Sequence, residues 1–117
     1  VTTPSKAKGD RHERAIAEYL ASKGWKRAVR RGGAGATNDR GDIDGIYGCV
    51  IEAKDEKRHD FSGYLRELAD EVRNAKASTG VAIIKKRGTS NVGDYYALMT
   101  VDMWVDLMKE AGYGDTR

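Results

Sequence analysis

Residues 41–54 read GDIDGIYGCVIEAK, and how this stretch is folded decides how the rest of the chain is read. Charged and apolar residues alternate on both sides of Ile46, Tyr47 and Gly48. Residues 42–45 and 49–54 therefore read as two short strands, joined by a three-residue loop that closes on a glycine able to adopt the left-handed conformation. Side chains alternate along a strand, so Asp42 and Asp44 share one face, and Glu52 and Lys54 share one face of the neighbour. In this register Asp42 lies opposite Glu52, with Cβ atoms ~5 Å apart, and Asp44 lies opposite Val50. Two carboxylates so placed repel, but a divalent cation between them reverses the sign. Lys54 projects onto the face of Glu52 and can reach a phosphoryl oxygen or a metal-bound water. Phosphodiester hydrolysis needs these parts: a metal to polarise the phosphoryl oxygen and acidify a water, and a cation to stabilise developing negative charge. A plainer reading gives the same alternation: an exposed hairpin with Ile43, Ile51 and Ala53 as its core face.

Upstream, residues 1–9 read as a loosely attached lead, punctuated by Pro4 and Gly9. Asp10 is a candidate N-cap for a helix that runs to about Ser22 and stops at Gly24. Glu13, Ile16, Ala17 and Leu20 cluster on one face of it, so a carboxylate occupies the stripe that should meet a sheet. Two readings of Glu13 stand together: a fourth ligand for the metal, or the third-position glutamate of a capping box that begins at Asp10. Residues 25–31 read as a strand, and residues 32–41, with four glycines, read as a mobile loop.

Downstream, Phe61, Tyr64, Leu65, Leu68, Val72 and Ala75 step by three or four, which predicts a helix over residues 61–77. Residues 81–84 form a short buried strand that runs into Lys85, Lys86 and Arg87. Residues 95–101 are the last strand. A final helix, residues 102–111, is expected to bury Trp104, Val105, Leu107 and Met108 and to stop at Gly112. The order α-β-β-β-α-β-β-α points to an α/β fold, one mixed central β-sheet flanked by helices.

Composition sets the bounds. A chain of 117 residues suffices for one domain with a modest core, here residues 10–112 with a short tail at 113–117. No apolar run approaches the ~20 residues of a membrane span, and a cytoplasmic protein is expected. The single Cys49 excludes an internal disulfide, and only His12 and His59 offer imidazole, so a bound metal would have mostly oxygen ligands. That favours Mg²⁺, with Mn²⁺ able to substitute, over zinc. The net charge of +3 is unevenly distributed, because residues 1–40 carry ten Lys or Arg against four Asp or Glu. A basic edge beside an acidic pocket suits a polyanion such as DNA. Arg27, Arg30, Arg31 and Arg40 flank the glycine loop and are the candidate phosphate-binding residues, ahead of Lys85, Lys86 and Arg87; Thr37 and Asn38 are candidates for touching the scissile strand.

The string GDIDGIYGCVIEAK resembles the core of the PD-(D/E)XK nucleases, with Gly41 in place of the proline. Preceded by RHERAIAEYLASKGW, it is similar in particular to archaeal Holliday junction resolvases and related phage nucleases. The resemblance covers residues 10–54 well and the remainder more loosely. It implies a restriction-endonuclease-like fold, metal ligation by Glu13, Asp42 and Glu52, and a catalytic role for Lys54 in positioning water or stabilising charge. It implies an endonuclease on branched DNA, and a two-fold symmetric junction asks for a homodimer. A nicking or restriction-like enzyme on duplex or flap DNA would use the same residues, whereas a DNA-binding module without chemistry would more naturally lack one of them. Two departures stand out. The spacing from Asp42 to Glu52 is short, which leaves Asp44 as a competing ligand, and the chain has no glutamine, so the Gln-x-x-x-Tyr element of some exonuclease relatives is absent.

Overall fold

Helix α1 spans Pro4–Ser22. It begins six residues earlier than Asp10, because Thr3 supplies the cap: its side chain accepts from the Lys6 N–H, and Pro4 takes the first helical position, where its missing N–H costs nothing. Residues 4–9 are thus helix rather than a loose lead, and Asp10 is no cap. Glu13, nine residues beyond Pro4, is accordingly not a capping-box glutamate. The structure, a computed structural model, describes residues 3–32 and 40–115; most of the glycine-rich stretch, with Thr37 and Asn38, lies outside them.

Strand β1, Val29–Arg30, and strand β2, Ile43–Asp44, form an antiparallel pair in which Val29 faces Asp44 and Arg30 faces Ile43. Strand β1 is shorter than expected, and Trp25 is half-exposed ahead of it. Strand β3, Cys49–Lys54, runs parallel to β4, Thr79–Ile84, and β5, Tyr96–Leu98, runs antiparallel to β4. The order β3-β4-β5 makes β4 the central strand of a mixed sheet.

The expected β2–β3 hairpin is therefore corrected. The ladder partner of β2 is β1, and the chain approaches β3 at the residue before β2, where the Asp42 N–H donates to the Ile51 carbonyl at 2.8 Å. Two glycines explain the detour. Gly41 has φ +101°, and a Cβ there would meet Val50 Cγ1 at 2.8 Å and the Ile51 carbonyl at 2.9 Å. Gly45 has φ +92° and lies against the backbone of Arg27, ahead of β1. Backbone presses on backbone at both points, so β2 is drawn towards β1.

Helix α2, Phe61–Ala75, is capped by Asp60, whose side chain accepts from the Gly63 N–H, and it ends at Lys76 in the left-handed conformation. A 3-10 turn, Val92–Asp94, leads into β5. Helix α3, Val101–Ala111, is capped by Thr100 and closed by left-handed Gly112. It differs from expectation in the face it buries: Met103 is buried, while Trp104 and Leu107 are exposed and Val105 and Met108 only half-buried. Helix α3 meets the sheet at the start of β4, where the Thr79 hydroxyl donates to the Met103 carbonyl at 2.8 Å. Met103 there packs with Val50 and Leu68.

The sheet separates two apolar clusters. On one side Ile51 packs with Ile16 and Ala17 of α1 and with Ile43; on the other, Val50 packs with Leu68 of α2 and Met103 of α3. Strand alternation thus sends Val50, Glu52 and Lys54 towards α2. The described residues make one α/β unit with helices on both faces of a mixed sheet, and none of its helices is long and apolar enough to cross a membrane.

Candidate active site

Asp42 is held at the free edge of β3. Its carboxylate Oδ2 accepts from the Ala53 N–H at 2.8 Å while its own N–H reaches Ile51, so it brackets Glu52 along the strand. Asp44, exposed and paired with Val29, faces β1 instead. Of the two aspartates, Asp42 is the one set beside Glu52.

Glu52 is 3% exposed. Burial first, then a hydrogen bond to Glu71 and the charges of Asp42 and Glu71, push its carboxyl up to about 12, with Lys54 working the other way. A carboxyl in this setting holds a proton unless a cation takes its place. Lys54 Nζ lies 3.8 Å from Glu52 Oε2, 3.2 and 3.3 Å from the two carboxylate oxygens of Glu67, and 5.1 Å from the centre of the Tyr64 ring. Burial works to lower the pKa of Lys54, but Glu52, Glu67 and Asp42 outweigh it and hold the ammonium above its usual value. Lys54 is a cation held between the carboxyl groups of Glu52 and Glu67 and the Tyr64 ring.

Sequence reasoning did not single out two members of this cluster. One carboxylate oxygen each from Glu52, Glu67 and Glu71 lie within 4.8 Å of one another, and Glu71 is 1% exposed. The signal was present: Glu71 is three residues beyond Leu68 and four before Ala75, inside the apolar stripe of α2. A carboxylate in a core stripe was the reason Glu13 stood out in α1, and the same test identifies Glu71. An all-carboxylate donor set is what a hard cation such as Mg²⁺ takes, and burial, followed by Glu71 and Asp42, favours a proton or a cation at Glu52.

Glu13 approaches from the α1 side. Burial and the charge of Asp42 raise its pKa, and Arg30 opposes them. Arg30 Nε donates to Glu13 Oε1 at 2.9 Å and Arg30 Nη2 to Asp10 Oδ1 at 2.5 Å. Arg30 is thus engaged with Asp10 and Glu13 of α1. Arg31 is half-buried, with its N–H on the Asp42 carbonyl at 2.7 Å. Arg27 and Arg40 are exposed. The structure brings together Asp42, Glu52 and Lys54 and sets Glu13 within electrostatic reach of Asp42. His12 is buried, with Nε2 3.1 Å from the Ile83 carbonyl, and burial lowers its pKa; it is a structural imidazole. Neither a protein-family model, nor a curated protein, nor a solved structure matches the chain.

Proposed function

We propose that this chain is a Mg²⁺-dependent endodeoxyribonuclease of restriction-endonuclease-like fold that cleaves branched DNA as a homodimer. The observation that carries the reading is the cluster at the edge of β3: two adjacent carboxylates, Asp42 and Glu52, with the ammonium of Lys54 fixed beside them. Such a set has no structural economy, because the carboxylates repel and one is buried. Asp42 and Glu52 would hold the ion, with Glu71 or Glu13 completing the oxygen set from either face of the sheet. The ion would polarise a phosphoryl oxygen and acidify a water. The Ala53 N–H orients the Asp42 carboxylate, Glu67 and Tyr64 orient Lys54, and Lys54 offers a fixed positive charge for the negative charge that builds on the phosphate. Branched DNA and the homodimer follow from the resemblance of residues 10–54 to the junction resolvases.

The deciding experiment compares a synthetic four-way junction, a flap and a plain duplex with Mg²⁺, using Ca²⁺ as the inactive ion. Mg²⁺-dependent cleavage of the junction, abolished by Asp42→Asn and by Glu52→Gln, is the expected result. Binding without cleavage by any metal would make the chain a DNA-binding module, and preference for plain duplex would make it a nicking or restriction-like enzyme.

A further inference from the structure

Besides the arginines near the glycine loop, a second basic surface adjoins Lys54. The early turns of α1 and the segment that leaves β3 enclose a cavity of about 370 Å³, with Ser5 and Lys8 on one wall and Lys54, Asp55, Glu56 and Lys57 on the other. Both acids of that lining have a partner, although Asp55 Oδ2 is buried without a hydrogen bond. Asp55, with a side chain only 6% exposed, lies 3.7 Å from Lys8 Nζ, and Glu56 accepts a hydrogen bond from the Tyr64 hydroxyl at 2.9 Å. The Lys8 side chain is 39% exposed beside Asp55, and Lys57 is exposed and makes no ion pair among the described residues. The cavity therefore has a lysine on each wall, and Lys54 is part of its lining. It also lies at the positive end of the α1 dipole, which favours an anion. Lys54 belongs at once to this cavity and to the carboxylate cluster, so a chain of phosphates lying in it would be led to Asp42 and Glu52.

We propose that this groove holds the phosphodiester backbone next to the cut, with Lys8 and Lys57 as its phosphate-binding residues. The inference rests on the nuclease reading of the Lys54 site and assigns a DNA-binding surface beside it. Helix α1 then has two tasks: its middle supports the site through Glu13, and its first turns form a wall of the DNA path.

The test is a set of salt titrations of the full chain without divalent metal, using a fluorescent four-way junction and a duplex as probes. Removing one lysine–phosphate ion pair should make the slope of log K against log salt shallower by roughly 0.9 and weaken affinity on the order of tenfold at 0.1 M salt. Lys57→Ala should show one such step and Lys8→Ala with Lys57→Ala two, on both probes, and with Mg²⁺ the effect should fall on KM more than on kcat. Lys8→Ala removes the partner of buried Asp55, so Lys8→Arg, which keeps the charge, and a melting curve for each variant separate phosphate binding from misfolding. Lys8→Arg should bind as the wild type does. Unchanged slopes in folded Lys57→Ala and in the double variant, with wild-type cleavage intact, would overturn the groove and leave the nuclease reading standing. A wild-type chain that neither binds nor cleaves DNA would overturn both.

Discussion

Glu52 is the residue on which most depends, and its burial has a measurable consequence. A carboxyl whose folded pKa lies above its ordinary value of 4.5 stabilises the fold fully below that value, and the contribution is lost as pH rises towards the folded pKa. The metal-free protein should therefore melt at progressively lower temperature between about pH 7 and pH 9, by up to about 1.4 kcal/mol of stability per pH unit. His12, whose pKa is lowered from 6.5, acts with the opposite sign and only in more acid solution, which keeps this window clear. Glu52→Gln should flatten the slope, and Mg²⁺ should raise the melting temperature more at pH 9 than at pH 7. A flat profile for the wild type would mean that Glu52 is ionised and already compensated. The roles of its neighbours can be ranked in the same preparations. Lys54→Ala should bind metal and slow cleavage by a factor on the order of 10² or more, as expected when a fixed electrostatic stabiliser is removed. Asp42→Ala should cost far more activity than Asp44→Ala; equal effects would remove the Asp42 carboxylate from the metal site.

At the level of elements, the strongly periodic segments were legible. Strand β3 has the bounds read from the sequence, and α2 ends within two residues of its expected end, because one face of each is committed to the core. What was not legible was set by contacts distant in sequence. The pairing of β2 with β1 rather than β3 depends on where Gly41 and Gly45 let the backbone pass, and local alternation predicts either partner equally well. The extra turns of α1 depend on Thr3, whose value as a cap is hidden by the glycine and polar residues that follow it. The outward face of α3 depends on how the helix docks beside β4 and α2, where Met103 packs with Val50 and Leu68. The first two of these features can be tested by stability. Thr3→Ala should cost roughly 1 kcal/mol in urea denaturation, as expected when an N-cap is removed. Gly45→Ala places a side chain at φ +92° against the Arg27 backbone, so it should cost more than Thr3→Ala. If the two rank the other way, Gly45 does not hold β2 against β1.

At the scale of the whole molecule, one chain carries one cluster of Asp42, Glu52 and Lys54, whereas a four-way junction presents two equivalent strands to be cut. Symmetry supplies the simplest solution: two copies related by a two-fold axis that coincides with that of the junction. The consequence is a prediction about linkage between cuts rather than about either cut alone. Asp42→Asn should leave the groove and the fold unaltered while disabling one centre, so mixing it with wild-type protein before adding DNA should produce dimers with a single working site. On a supercoiled plasmid that extrudes a cruciform, the wild-type dimer should make both cuts within one binding event and yield linear DNA. Mixed dimers should yield nicked circles, and at equal amounts of the two proteins, with free exchange of subunits, nicked product should come from about half of the dimers, the statistical share for pairwise assembly. The first nick releases the supercoiling that extrudes the cruciform, so two monomers acting independently would leave nicked circles even with wild-type protein alone, and the inactive protein would slow nicking only by competing for DNA. Linear product from the wild type, with nicked product that appears only on mixing, marks the dimer; nicked circles as the main product of the wild type alone would show that each chain works alone.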